Sequence, residues 1–184
     1  MKRNDSGITL IVLIIIIIVL IIIASITAYE GKELISKSKI QTLENNMLTI
    51  QAKAKAYAEE IDAKIWTESD SESDVDENGN TPKDVARNKE FTAPKIGFTG
   101  PINITNSDIL GQISQEITNN YVAYEVTGDA LVNMGLKDLK NEKYIVIYSK
   151  DNYKLMDVIY QNGVKYEKTM RYTLSNIQSV LSDE

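Results

Sequence analysis

Residues 8–28 read ITLIVLIIIIIVLIIIASITA, a run without a single charged side chain and built mostly of Ile, Leu and Val. As a helix rising about 1.5 Å per residue it reaches roughly 31 Å, the thickness of a bilayer's hydrocarbon core. Ile and Val are mediocre helix formers in water. In lipid, however, every backbone N–H and C=O must find its partner inside the segment, so a single span has to be helical. Lys2 and Arg3 precede the run, and the next basic residue, Lys32, is offset by Glu30 and Glu33. That asymmetry predicts a single-pass membrane protein with its amino end in the cytoplasm and the rest of the chain outside.

Composition agrees with this division. Of 184 residues, those beyond the apolar run suffice for one outer domain. Cysteine is absent, so that domain must hold by packing, or by a metal, without disulfides. A formal net charge of −6 repels polyanions over most of the exterior, and no nucleic-acid partner is expected. The absence of histidine removes the usual proton shuttle and any Ser-His or Cys-His nucleophile. Carboxylate pairs such as Glu59 with Glu60 sit on polar stretches, and no spacing places a nucleophile beside a base, so catalysis is not expected.

The residues ahead of the run narrow the reading. A secretory signal peptide ends in a small-x-small cleavage site, and Ile26 stands where a small residue is wanted. Here the small residue comes first: MKRNDSG, then Ile8, Thr9 and Leu10. A charged leader ending in Gly7 directly before such a run resembles the processing site of type IV prepilins and of the pseudopilins of secretion systems. Glycine suits that place physically, because a residue without Cβ lets a protease approach the extended backbone. The resemblance implies that a prepilin peptidase cuts between Gly7 and Ile8 and methylates the new amine of Ile8. It further implies that Ile8, Thr9, Leu10 and Val12 open the helix by which homologous pilin subunits pack. The implied partners are that peptidase, those subunits, a pilus or secretion assembly platform and the membrane, and the mature protein would stand in a cell-surface filament.

Val12 departs from the family, most of whose members carry glutamate at the fifth mature residue. There the carboxylate neutralises a neighbour's terminal ammonium within an apolar bundle, where an unpaired charge is costly. The departure points to a minor or tip subunit, with a major subunit as the other case. The alternative to the filament is a single-pass, signal-anchored extracellular adhesion or sensor domain that is never processed. Gly31 is the expected soft point of the helix, since glycine inside a helix costs about 1 kcal/mol relative to alanine. Tyr29 holds the place where many relatives have proline.

Beyond the membrane the helix is expected to continue. Residues 29–65 lack proline, and Ile40, Leu43, Met47, Ile50, Ala54, Tyr57 and Ile61 draw one apolar stripe at three- and four-residue steps. The stripe predicts packing against a sheet of the same chain, with a coiled coil to another chain as the alternative. Residues 66–120 read as an acidic loop followed by short helices. Within the loop Asp74, Asp76 and Asn78, followed by Gly79, reproduce the first half of an EF-hand-type loop, a candidate calcium site. The second half fails, because Val85 stands where the bidentate glutamate belongs and Asp84 comes one place early. An ordinary acidic loop is the other reading. Thr81-Pro82 opens a helix over 82–88, and Ser107-Asp108 one through 117. Asn103-Ile104-Thr105 has the form of an N-glycosylation acceptor, for which chance accounts.

Residues 121–184 carry the β signal, with strands over 121–126, 143–149, 154–160 and 164–171 and a helical segment over 174–181. The last three strands form an antiparallel meander, its second turn placed at Gln161-Asn162-Gly163 because Asn-Gly is the strongest short hairpin signal. Eight tyrosines fall in this third of the chain. They suit a half-buried sheet, and a binding face is the alternative. The fold class that follows is α+β: a long N-terminal helix, membrane half plus amphipathic half, laid on a small antiparallel sheet in the pilin plan. The divisions are leader 1–7, membrane helix 8–28, amphipathic extension 29–65, acidic loop and short helices 66–120, and β-meander with closing segment 121–184.

Overall fold

A computed structural model describes residues 6–68, 80–113 and 120–182, without the side chains of 6–14, 19, 22–36 and 66–68. The chain divides into two units, Met1–Lys39 and Ile40–Glu184. Helix α1 is assigned over Ser6–Glu68, and its residues from Ile40 onward belong to the second unit. The class is α+β, with a five-stranded antiparallel sheet.

The second unit is built on the stripe. Ile40, Leu43, Met47, Ile50, Ala54, Ala58, Ile61 and Ile65 are all buried in one core cluster. Ala58, rather than the expected Tyr57, continues the seam. Tyr57 stands half-buried on its flank, edge-on to Phe98 at 6.0 Å. Facing the stripe are the strands, in the order β1 (Thr99–Ile102), β2 (Tyr121–Val126), β3 (Tyr144–Ser149), β4 (Leu155–Tyr166) and β5 (Thr169–Thr173). Every neighbouring pair is antiparallel and the spatial order is the chain order, a plain meander. The stripe is therefore covered by the chain's own sheet. Tyr124, Tyr144, Val146, Tyr148 and Val158 lie in the same cluster, and the Tyr148 hydroxyl donates to the Ala54 carbonyl at 3.0 Å. The tyrosines of this face are core, not a binding surface.

Alternation along the strands sends Ala123, Ile145, Ile147 and Ile159 to the other face. There they meet Ile104, Ile109 and Ile113 in a second cluster. Helix α3 (Ser107–Leu110) carries Ile109 and begins where Asn106 Oδ1 accepts from the Asp108 and Ile109 amides at 2.9 and 3.3 Å. It is shorter than the helix expected through 117, and residues 114–119 lie outside the described ones. Gln112 explains the stop: its amide donates to Met170 O at 2.8 Å and accepts from Tyr172 N at 3.0 Å. The side chain thus occupies the place of a further strand beside edge strand β5, which blunts that edge.

Helix α2 (Pro82–Phe91) opens with a complete capping box. Asp84 N donates to Thr81 Oγ1 at 3.2 Å, and Thr81 N to Asp84 Oδ2 at 2.9 Å. It runs three residues past the expected end at 88 because Phe91 is buried among Phe98, Tyr124, Tyr148 and Tyr153. Between β2 and β3 come α4 (Gly128–Asn133) and a 3₁₀ turn at Lys137–Leu139, and the chain closes with α5 (Leu174–Ser182).

The second hairpin is not where the Asn-Gly pair put it. Strand β4 runs through Gln161, Asn162 and Gly163, and the chain reverses at Glu167-Lys168, with Glu167 at φ 54°. Between the pairs Ile159↔Thr173 and Val164↔Arg171, β4 advances five residues while β5 advances two, so the excess is a bulge. Gly163 serves that bulge, at φ 64°. A Cβ there would lie 2.6 Å from Tyr172 Cε1. Gln161 is also tied sideways, its N–H donating to Lys143 O at 3.0 Å. The positive φ that Asn-Gly signals is used, but for a bulge and not a reversal. Gly163→Ala should cost about 1–3 kcal/mol in urea unfolding, whereas Glu167→Gly should be neutral or stabilising; an unchanged midpoint for Gly163→Ala would contradict this assignment.

Asp157 is a buried carboxylate on β4. Ser175 Oγ donates to it at 2.5 Å and its neighbour Val158 N at 2.7 Å, at the start of α5. Burial raises its pKa above the ordinary carboxylate value, outweighing these hydrogen bonds. The folded state therefore binds the proton more tightly than the unfolded chain. Stability must fall as pH rises from the unfolded pKa through the folded one. In thermal melts between about pH 4 and 7, Asp157→Asn should lack this downward slope, and parallel curves for the two proteins would refute it.

Candidate functional site

Gly7, Ile8, Thr9, Leu10 and Val12 all fall within the helical backbone of α1, and their side chains lie outside the described ones. Asp74, Asp76 and Asn78, the candidate calcium ligands, lie outside the described residues altogether. Among the described residues no group of three or more acidic side chains is placed to hold a metal ion. Asp84, one place short of the EF-hand pattern, is instead committed to the capping box, where its Oδ2 also accepts from Thr81 Oγ1 at 2.7 Å.

In the first unit, Ile15, Ile16, Ile17, Ile18, Leu20 and Ile21 are 47–60% exposed. Successive helical residues are turned by about 100°, so the four from Ile15 to Ile18 sample nearly the whole circumference. No described face of this segment is buried. Fully burying one such side chain contributes about 1.5–3 kcal/mol, so the segment holds on the order of 10 kcal/mol of apolar burial in reserve. Among the described residues no helix is long and apolar enough to cross a membrane, and most of the run 8–28 has its side chains outside that set.

The second unit carries a cleft of about 580 Å³ beside α2. Asp84, Val85 and Asn88 of α2 form one wall, Pro101 to Asn103 at the end of β1 another, and Tyr121, Val122 and Tyr124 of β2 the floor. Lys150 and Tyr153 of the β3–β4 turn, with Asn80 ahead of α2, complete it. Two atoms of lining residues are buried, closed to solvent and without a hydrogen-bond partner: the Tyr124 hydroxyl and Asn88 Oδ1. Such orphans are uncommon in folded proteins and cost about 1–3 kcal/mol each. Burial, first of all, lifts the Tyr124 pKa far above the ordinary phenol value, with Tyr153 and Asp84 adding to it. The hydroxyl therefore stays neutral and keeps its proton.

One side of the cleft is braced by Arg87. Its Nε donates to Asp62 Oδ1 at 2.8 Å, its Nη1 lies 3.7 Å from Asp84 Oδ1, and its guanidinium carbon sits 4.3 Å above the Tyr153 ring. Tyr153 is buried at φ 50°, a conformation rare for a bulky residue and retained here because the ring is clamped. Lys64 and Lys95 tie Glu90 at 2.7 and 3.7 Å, and the Lys64 hydrogen bond holds the Glu90 carboxyl below the usual range. These exposed pairs add little compared with the better-buried Arg87.

The sequence carries no signal for this cleft. Its residues come from four elements, and none of the spacings between them is local. The Tyr cluster and the Thr81-Pro82 start were readable one by one, but the juxtaposition needed the sheet order.

Searches of protein-family models, of curated proteins and of solved structures find no match to the chain.

Because the fork of Arg87 serves a carboxylate and an aromatic face at once, a point charge is a poor substitute. Arg87→Ala should cost about 1–3 kcal/mol in urea unfolding, and Arg87→Lys should recover less than half of that; full recovery by lysine would show that only the charge matters.

Proposed function

We propose that the chain is a structural subunit of a type IV pilus-like or secretion pseudopilus-like filament, cut by a prepilin peptidase between Gly7 and Ile8. The observation that carries this reading is the apolar run that follows Gly7 at once, with its described side chains open on every side. A lone helix of this kind needs lipid or other helices around it. In the bilayer it is satisfied by acyl chains, and in a filament by the same segment of neighbouring subunits. Exchange of one apolar surrounding for another has little net driving force, so an assembly platform must supply direction. The stripe over 40–65 takes no part in this exchange, because the sheet already covers it. What remains outside is the sheet domain, displayed on the filament surface.

Val12 favours one variant of this reading, a minor or tip subunit, since it cannot neutralise a neighbour's terminal ammonium. It also favours the second reading, an anchored adhesion or sensor domain that keeps its leader. Mass spectrometry of the protein from its own host separates them. The filament reading expects a mature chain beginning at N-methylated Ile8, and expects Gly7→Val to leave the full-length chain in the membrane. Retention of residues 1–7 beside an active prepilin peptidase, or processing that ignores Gly7→Val, would overturn it.

A further inference from the structure

With its strands in chain order, the sheet has β1 and β5 as its edges among the described residues, and a sheet edge exposes backbone groups that another chain can pair with. The two edges are closed in different ways. β1 is only four residues long, its Pro101 has no N–H to offer, and just before it Phe98 N is spent on Phe91 O of α2 at 3.1 Å. β5 has neither device. It reads Thr169-Met170-Arg171-Tyr172-Thr173, without proline and mostly of residues that favour strands.

What faces β5 is one side chain. Gln112 Nε2 donates to Met170 O at 2.8 Å, and Gln112 Oε1 accepts from Tyr172 N at 3.0 Å. The N–H and C=O of one strand residue point the same way, so Met170 and Tyr172 both turn their backbone groups away from β4. A primary amide carries the donor and the acceptor of a peptide group. The glutamine therefore offers β5 what one residue of a further strand would offer. Its position is fixed by the core: Ile109 and Ile113, before and after it, are buried in the second cluster, and Gln112 N donates to Ile109 O at 2.9 Å.

The occupant that this contact keeps out is a second copy of the chain. An edge whose outward residues each offer one donor and one acceptor is self-complementary about a twofold axis. Met170 of one copy meets Tyr172 of the other, and each such pair exchanges both N–H···O bonds. With Gln112 in place this pairing has no driving force. Each copy gives up its two bonds to Gln112 and recovers only as many from its partner, while association still costs freedom of motion. Without Gln112 the new bonds replace bonds to water, and the exposed Met170 side chain adds apolar contact. Arg171 would then stand opposite its own copy, but its guanidinium is drawn back onto α5, Nη1 donating to Asn176 Oδ1 at 2.8 Å.

We propose that Gln112 is a plug that keeps the sheet domain from joining a second copy through β5. This assignment does not rest on the filament reading, since an anchored domain crowded on a membrane would need the same protection.

The test uses the full chain in micelles of a zwitterionic detergent, with hydrogen exchange read at the Met170 and Tyr172 amides. In the unmodified chain Tyr172 should be protected and Met170 not, alike at low and high protein concentration. Gln112→Met keeps the length of the side chain and removes the amide. At low concentration it should lower Tyr172 protection by about tenfold or more. At high concentration protection should return and extend to Met170. Because the chain has no cysteine, a nitroxide on Lys168→Cys reports the distance between copies, which pairing through β5 sets at about 20 Å. Gln112→Glu keeps an acceptor for Tyr172 N and adds a charge at the edge, so it should leave Tyr172 protected and the copies apart. The proposal is overturned if Tyr172 exchanges in Gln112→Met as it does in the unmodified chain, or if the unmodified chain or Gln112→Glu pairs through β5. Association of Gln112→Met without the short distance and the renewed protection runs through another surface and also overturns it, as does no association at all.

Discussion

The seam between residues 40–65 of α1 and the helix-side face of the sheet is the contact on which the second unit depends. Eight apolar positions at helical spacing meet Tyr124, Tyr144, Val146, Tyr148 and Val158 in one cluster. Each large side chain buried there contributes about 1.5–3 kcal/mol. The small residues Ala54 and Ala58 let the sheet come close, and the Tyr148 hydroxyl takes up that proximity by bonding the Ala54 carbonyl. Once this seam is set, β3 becomes the center of the sheet, buried on both faces from Tyr144 to Tyr148. The opposite face must then be covered by something, and α3 with the residues on either side of it does so.

The same seam explains how functions could be divided along the helix. An amphipathic stretch whose stripe is spent inside its own domain has nothing apolar left to offer a neighbour. The run over 8–28 has no polar back and no cover over its described side chains, so its surroundings must come from outside the domain. In the proposed filament the first segment is the shared spine and the second is a private anchor. The walls of the cleft beside α2 come from α2 and Asn80 ahead of it, β1, β2 and the β3–β4 turn, all within the second unit.

Much of the fold could be read from local pattern. The 3.6-residue period over 40–65, the alternation of β2, the capping pair at Thr81-Pro82 and the closing helix each rest on neighbours within a few residues. Readings failed where a local signal had more than one structural use. Asn162-Gly163 marks a positive φ, and a bulge needs one as much as a turn does; the choice was made by Gln161 bonding to Lys143 and by the close approach of Tyr172. Tyr57 fits the helical period as well as Ala58 does, and only the closeness of the sheet favours the smaller residue. The helix begun at Ser107 ends early because Gln112 is drawn to the edge of β5, 60 residues further along the chain. The cleft was invisible for the same reason: Asn88 and Tyr124 are unremarkable where they stand, and only the meander brings them together.

Native-state hydrogen exchange tests the central seam most directly, because it reads the opening free energy of each amide. If residues 47–61 are one wall of the core, their amides and those of residues 144–148 should exchange with a common free energy and lose protection together as denaturant is raised. A helix that exchanges well below the sheet, or that keeps its protection after the sheet has opened, would contradict the account.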